Sequence, residues 1–129
     1  MSSTLLQVRC EQIGDQIVVH PVGEVDLTTA PLLHQALGKA TAVRGARQVV
    51  VDLTEVGFFG AVGLTVLLAA TRHGDDIGVS VLVVADRGQP AHRTITITDM
   101  QHELTLVDSL PRALIYRQLR HTTASIDRP

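Results

Sequence analysis

Aromatic side chains are almost missing from this 129-residue chain. There is no tryptophan, and Phe58, Phe59 and Tyr116 are the whole set. A core must therefore be assembled from Val, Leu, Ile and Ala, which the 45% hydrophobic content supplies. Cysteine is reduced to Cys10, so no internal disulfide can form and a zinc site would need other ligands. Lying in an apparent strand, Cys10 reads as a small buried hydrophobe rather than a redox centre. No apolar run approaches the roughly 20 residues a bilayer-spanning helix needs. Met1-Ser2-Ser3-Thr4 is not a basic segment leading into a hydrophobic run, so no secretory signal is read and a cytoplasmic location is expected. An excess of one charge is missing too: 11 basic against 13 acidic residues leave a net charge of −2, which gives no electrostatic case for nucleic acid. The one basic cluster, Arg112, Arg117, Arg120 and His121, reads as the solvated face of a terminal helix.

Catalytic signatures are missing as well. There is no Gly-x-Ser-x-Gly, no phosphate-cradling glycine loop and no Cys-His pairing at a recognisable spacing. The six histidines, His20, His34, His73, His92, His102 and His121, include no pair four residues apart, so no helical metal pair exists. No metal or other cofactor and no enzymatic activity are expected.

What is present is an alternation of strand and helix signals. Leu5 to Ile13 and Gln16 to Val22, separated by Gly14-Asp15, predict an antiparallel hairpin closed by Gly23-Glu24-Val25-Asp26. Thr28 or Thr29 can cap a helix with Pro31 in its first turn, running to about Val43 with Leu32, Leu33, Ala36, Leu37 and Ala40 on one stripe. Gln48 to Leu53 is apolar on both faces and predicts a central strand. A loop over Thr54 to Phe59 leads into a helix from Ala61 to Arg72, stopped by Gly74. Val79 to Ala85 is a further buried strand. Thr94 to Thr98 alternates like a strand, but a helix from about Ala91 places Ile95, Thr98 and Leu104 better toward a core. Leu104 to Val107 is a short last strand, and Ser109 caps a final helix reaching about Arg120. One domain is expected over residues 1–129, with its core at about 5–118 and a flexible tail over 122–129. The fold class is α/β: a mixed β-sheet of four to five strands packed with about four α-helices.

Asp26 and Asp52 each stand where a strand runs out. They read either as a polar pocket on one rim of the sheet or as turn and loop caps. On the helix starting at Ala61, spacing of about 100° per residue puts Val62, Val66, Leu67 and Ala70 on one side. Ala61, Leu64, Thr65, Leu68 and Arg72 fall on the other. That second face is either a docking surface or one covered by the chain's own loops or a second copy.

Three stretches carry a family likeness: Gly23-Glu24-Val25-Asp26-Leu27 with Ala30-Pro31-Leu32; Val49-Val50-Val51-Asp52-Leu53-Thr54 with Phe58-Phe59 and Gly63-Leu64; and Asp99-Met100 through Leu104 to Leu110, with Ala113-Leu114. In order and spacing the chain resembles the STAS domain family, the anti-sigma factor antagonists, over about residues 5–118. The resemblance implies a STAS-like mixed sheet and binding to an anti-sigma factor of ATP-binding serine-kinase type. It implies regulation of sigma-factor-dependent transcription, with no direct contact to nucleic acid or membrane, by a monomer or homodimer. It also implies a partner surface at Gly60, Ala61, Leu64, Thr65, Leu68 and Arg72, and a switch pocket at Asp26, Asp52 and Thr54. The family pattern at the switch is Asp-Ser-Ser-Gly-Leu or Asp-Ser-Thr-Gly-Leu. Here it reads Gly60-Ala61-Val62-Gly63-Leu64, so the phosphoacceptor position is Ala61, which has no hydroxyl. A scaffold or regulatory subunit of a larger sensor or transporter complex, and a small-ligand sensor, are the alternative readings.

Overall fold

A computed structural model describes residues 6–115. The strands are β1 (Leu6–Ile13), β2 (Gln16–Val25), β3 (Gln48–Asp52), β4 (Val56–Phe59), β5 (Ser80–Val84) and β6 (Thr105–Val107). The helices are α1 (Ala30–Thr41), α2 (Ala61–Ile77) and α3 (Pro90–Ile97), and α4 begins at 110. The main path of the sheet is β1-β2-β3-β5-β6, with β4 also paired to β2. Among the described strands only β1 runs antiparallel to its neighbour.

β3 is central, as its unbroken Val49-Val50-Val51 run predicts, and all five of its residues are buried. Side chains alternate along a strand, so Val49 and Val51 enter the large core under α1, α2 and α3. Val50 joins Val18, Leu82, Val84 and Ala113 in a second cluster on the opposite face. α4 lies over that second face. Its carbonyls at Ala113 and Leu114 accept from the side-chain amides of Gln48 and Gln16. Ser109 caps it through a 3.4 Å bond from the Arg112 amide to Oγ. The predicted extension of this helix to Arg120, the basic cluster beyond Arg112 and the tail lie outside the described residues.

The sheet has one strand more than expected. The segment read as a loop contains β4, which pairs with the last residues of β2, Val25 opposite Phe59. β2 therefore does not close at Gly23. It shifts register between Gly23 and Glu24 and continues to Val25, serving β3 with its first half and β4 with its last. The period-2 signal in Val56-Gly57-Phe58-Phe59 is too short, and too interrupted by glycine, to stand out from a loop.

Two helices also depart from expectation. In α1, Leu32 is 45% exposed, and the buried stripe is Ala30, Leu33, Leu37, Ala40 and Thr41. α2 passes through Gly74 and ends at Gly78, whose φ of 79° supplies the left-handed cap. Gly74 is a packing residue, since a Cβ there would overlap the Val79 carbonyl. In α3, Ile95 is fully buried, but Thr98 is exposed and its hydroxyl bonds back to the Thr94 and Ile95 carbonyls.

α1 is started by a turn built on Asp26. Its Oδ1 accepts from the backbone N–H groups of Thr28 at 2.9 Å and Thr29 at 3.0 Å. The buried Thr29 hydroxyl donates to the Glu24 carbonyl at 2.6 Å and accepts from the Asp26 amide at 2.9 Å. The Thr29 amide, more than any other group, holds the Asp26 carboxyl below the ordinary carboxylate range, and the Thr29 hydroxyl and Thr28 amide act the same way.

Two measurements check this account. In urea titrations Gly74→Ala is expected to destabilise by about 1–3 kcal/mol through overpacking. Gly38→Ala, in α1 with nothing near its Cβ, is expected to stabilise by about 0.5–1 kcal/mol through helix propensity. Equal effects would contradict the packing role of Gly74. The second concerns pH. A carboxyl whose folded pKa is depressed contributes stability above its unfolded value and loses it as pH falls through the folded value. Asp26→Asn keeps an acceptor oxygen but removes the charge. The gap between wild type and variant is therefore expected to shrink as pH is lowered from about 5 to about 2.5. A gap independent of pH would show that the charge does nothing.

Candidate functional site

The start of α2 is held by backbone geometry. Gly60 stands at the N-cap with φ −81° and ψ 174° and has no side chain to cap the helix. Its amide instead donates to the Val25 carbonyl at 3.0 Å, and the Gly63 amide donates to the Gly60 carbonyl at 2.9 Å. From the other side, the Thr94 hydroxyl on α3 donates to the Phe59 carbonyl at 2.6 Å. At Gly63 a Cβ would lie 2.6 Å from the Phe59 ring and 2.9 Å from Val25. Only a bare backbone lets the helix seat this deeply.

That depth corrects the expected faces of α2. Leu64, assigned to the outward face, is 7% exposed and belongs to the large core. Leu68 is half-buried and packs against the same core. The buried arc is centred on Gly63, Leu67 and Gly74 and turned toward Leu64. A wheel that scores only large apolar side chains misplaces that arc, because the residues nearest the sheet are glycines. Ala61, Thr65 and Arg72 remain outward and exposed. The Thr65 hydroxyl bonds to the Ala61 carbonyl at 3.4 Å.

Around Ala61 the structure adds two residues that the sequence reading did not assign to the partner surface. Phe58 is 50% exposed, with its ring edge 3.3 Å from where a Gly60 Cβ would stand. Leu27 is 82% exposed and follows Val25, the register partner of Phe59. Consecutive phenylalanines point to opposite faces of a strand, but a sheet covered on both faces can bury both, as it does the valines of β3, so the pair alone does not mark Phe58 as exposed. Phe58, Gly60 and Ala61 form an apolar rim at the positive end of a helix, where the first N–H groups have no partner within the helix, and Leu27 is exposed two residues beyond Val25, whose carbonyl holds the Gly60 amide.

The three residues expected in a switch pocket do not come together. The parallel register puts Asp52 level with His20, and Asp26 is six residues further along β2, which at 3.3 Å per residue is about 20 Å. Asp26 builds the turn already described. Asp52 is buried beneath its own loop, its Oδ1 accepting from the Thr54 hydroxyl at 2.7 Å and the Thr54 amide at 3.1 Å. Its Oδ2 lies 3.3 Å from Nδ1 of His20, whose Nε2 is 3.5 Å from a Glu11 oxygen. Both carboxylates act as turn and loop caps. β4 separates them, because it occupies the stretch of β2 between their two levels.

Cys10 is exposed, against the expectation of a buried residue. Its strand position leaves it at the sheet edge, where partial burial pushes the thiol up and nearby Lys39 opposes this. Among the described residues no group of three or more His, Cys, Asp or Glu is placed to hold a metal ion. Nor is any helix among them long and apolar enough to cross a membrane.

Comparison with known proteins fits this geometry. Over 93 residues the chain is 37% identical to the anti-sigma-F factor antagonist RsfB of Mycobacterium tuberculosis, spanning 71% of this chain and 73% of that protein. Its fold superposes on an anti-sigma factor antagonist from Mycobacterium paratuberculosis with a TM-score of 0.80 and 32% identity, over 89% of this chain and 96% of that one. SpoIIAA in its unphosphorylated form shares the fold at a TM-score of 0.69 and 10% identity, over 88% and 96% of the two chains. Residues 7–113 match the sequence profile of the STAS domain, and the chain belongs to that family.

Proposed function

We propose that this chain is an anti-sigma factor antagonist that acts by binding, docking the rim at the start of α2 onto an anti-sigma factor of ATP-binding serine-kinase type. The observation that carries the reading is the exposed apolar surface of Phe58 and Ala61 at a helix N-terminus. It includes Ala61, one of the residues for which the resemblance implies a partner surface, in a chain 37% identical to a named antagonist. Thr65 and Arg72 extend the surface along α2, and Leu68 borders it. Capture of the anti-sigma factor would free a sigma factor in the cytoplasm, so the effect on transcription is indirect and needs no catalysis by this chain.

The same surface carries no phosphoswitch. A phosphoserine at the first residue of α2 would add nearly two negative charges beside the exposed N–H groups. Ala61 offers no oxygen to modify. Thr54 engages its hydroxyl with Asp52, and Thr65 bonds back into α2. The chain thus remains competent to bind whatever the kinase activity of its partner.

Two experiments test this. By calorimetry against the partner recovered by pull-down, Ala61→Glu is expected to lower affinity about 100-fold or more, because an unpaired carboxylate would be buried at the contact. Phe58→Ala is expected to lower it about tenfold or more. Circular dichroism checks folding. Unchanged affinity in both folded variants, or recovery of only membrane proteins or large multimeric assemblies, would refute the docking site. In the second, the partner is incubated with ATP and this chain, and mass spectrometry is expected to find no phosphate at Thr54 or Thr65. Stoichiometric phosphate on either would overturn the loss of the switch.

A further inference from the structure

β1 is an edge strand whose protection is limited to one charge of each sign, Arg9 and Glu11. Natural sheets blunt their edges with proline, bulges, short strands or charged side chains, lysine above all. β1 has eight residues, no proline and no lysine, and an unbroken register against β2 from Leu6↔Gly23 to Ile13↔Gln16. Among the described residues no strand pairs with its outer edge. From Arg9 to Ile13 every side chain is exposed.

The hairpin turn decides which backbone groups face out. Gly14, with φ 62°, is the first of two loop residues, so Ile13 and Gln16 form the hydrogen-bonded pair that closes the turn. In an antiparallel ladder such pairs alternate with non-bonded ones. Glu11, Arg9 and Gln7 therefore bond β2. Gln12, Cys10 and Val8 direct their N–H and C=O groups away from the sheet.

From this edge we infer that β1 pairs with β1 of a second copy, antiparallel about a two-fold axis at Cys10. The sequence Arg9-Cys10-Glu11 is complementary to itself in that register alone. Cys10 faces Cys10 of the other copy as a hydrogen-bonded pair, and Val8 faces Gln12. Arg9 of each copy then stands opposite Glu11 of the other, at the closer, non-bonded spacing where side chains interact best. Moving the axis one residue either way places Arg9 against Arg9 or Glu11 against Glu11, like charges directly opposed. The outward backbone groups permit this register, and the charges select it over its neighbours. The contact is isologous, as a closed dimer requires. It leaves α2 and its rim free, since β1 and β4 lie on opposite sides of β2.

The test is charge exchange in the full chain. Sedimentation equilibrium is expected to show a concentration-dependent dimer. Arg9→Glu and Glu11→Arg are each expected to weaken self-association about tenfold or more, because two attractive pairs become repulsive. The double variant Arg9→Glu/Glu11→Arg is expected to restore it. A short bis-maleimide is expected to join two copies through Cys10, the only cysteine, in the same order of efficiency across the variants. Cys10→Pro removes one outward N–H without touching the bonds to β2 and is expected to give a folded monomer. A wild-type chain that stays monomeric, a dimer indifferent to the single reversals, or a double variant that stays monomeric while folded would overturn the inference. None of these outcomes depends on whether the α2 rim binds an anti-sigma factor.

Discussion

The depth at which α2 sits on the sheet is set where Gly63 meets the Phe59 ring, and much of the remaining architecture follows from that contact. A helix seated this closely brings Leu64 and Leu67 into the core beside Val25. It also fixes Gly60 against the β2 carbonyl at Val25, which aims the first turn of the helix outward past Phe58. The phenylalanine pair is thus divided in role. Phe59 is the floor on which the helix rests, and Phe58 lines the surface beside its exposed end.

β2 is the strand on which both regions depend. Its first half carries the largely buried ladder with β3, and its last residues carry β4 and the approach to α1. The register shift between Gly23 and Glu24 lets one strand serve two neighbours. The Asp26 turn then reverses the chain into α1. Polar groups are used sparingly on the opposite face: Gln16 and Gln48 hold α4, and Asp52 is tied to Thr54 and His20.

Elements with strong period or composition were legible in the sequence: the hairpin, the valine run of β3 and the capped start of α4. The helix over Thr94–Ile97 was read against a strand-like alternation, on the placement of Ile95, which is buried, and of Thr98, which is not. The family likeness also placed Ala61 at the start of the helix where the structure finds it. What escaped was specified by groups that have no side chain or by tertiary pairing. Gly63 and Gly74 look like breakers in one dimension and are packing residues in three. β4 is four residues long and exists through its register with β2. The proposed union of Asp26 with Asp52 failed because similar positions at strand ends say nothing about how far apart two ends lie when a third strand fills the space between. Leu27 and Phe58 were passed over because exposure of an apolar residue has no local signature.

The fork in β2 has a consequence for how the molecule breathes. β4 is short, and two of its four residues are exposed, whereas β3 is buried throughout and paired on both sides. Backbone opening is cheapest where buried contacts and shared hydrogen bonds are fewest. The β4 segment and the first turn of α2 can therefore separate from the last residues of β2 as one local unit while the β2–β3–β5 ladder stays closed. Amide exchange would divide along that fork, with the rim turning over on a faster timescale than the sheet that carries it.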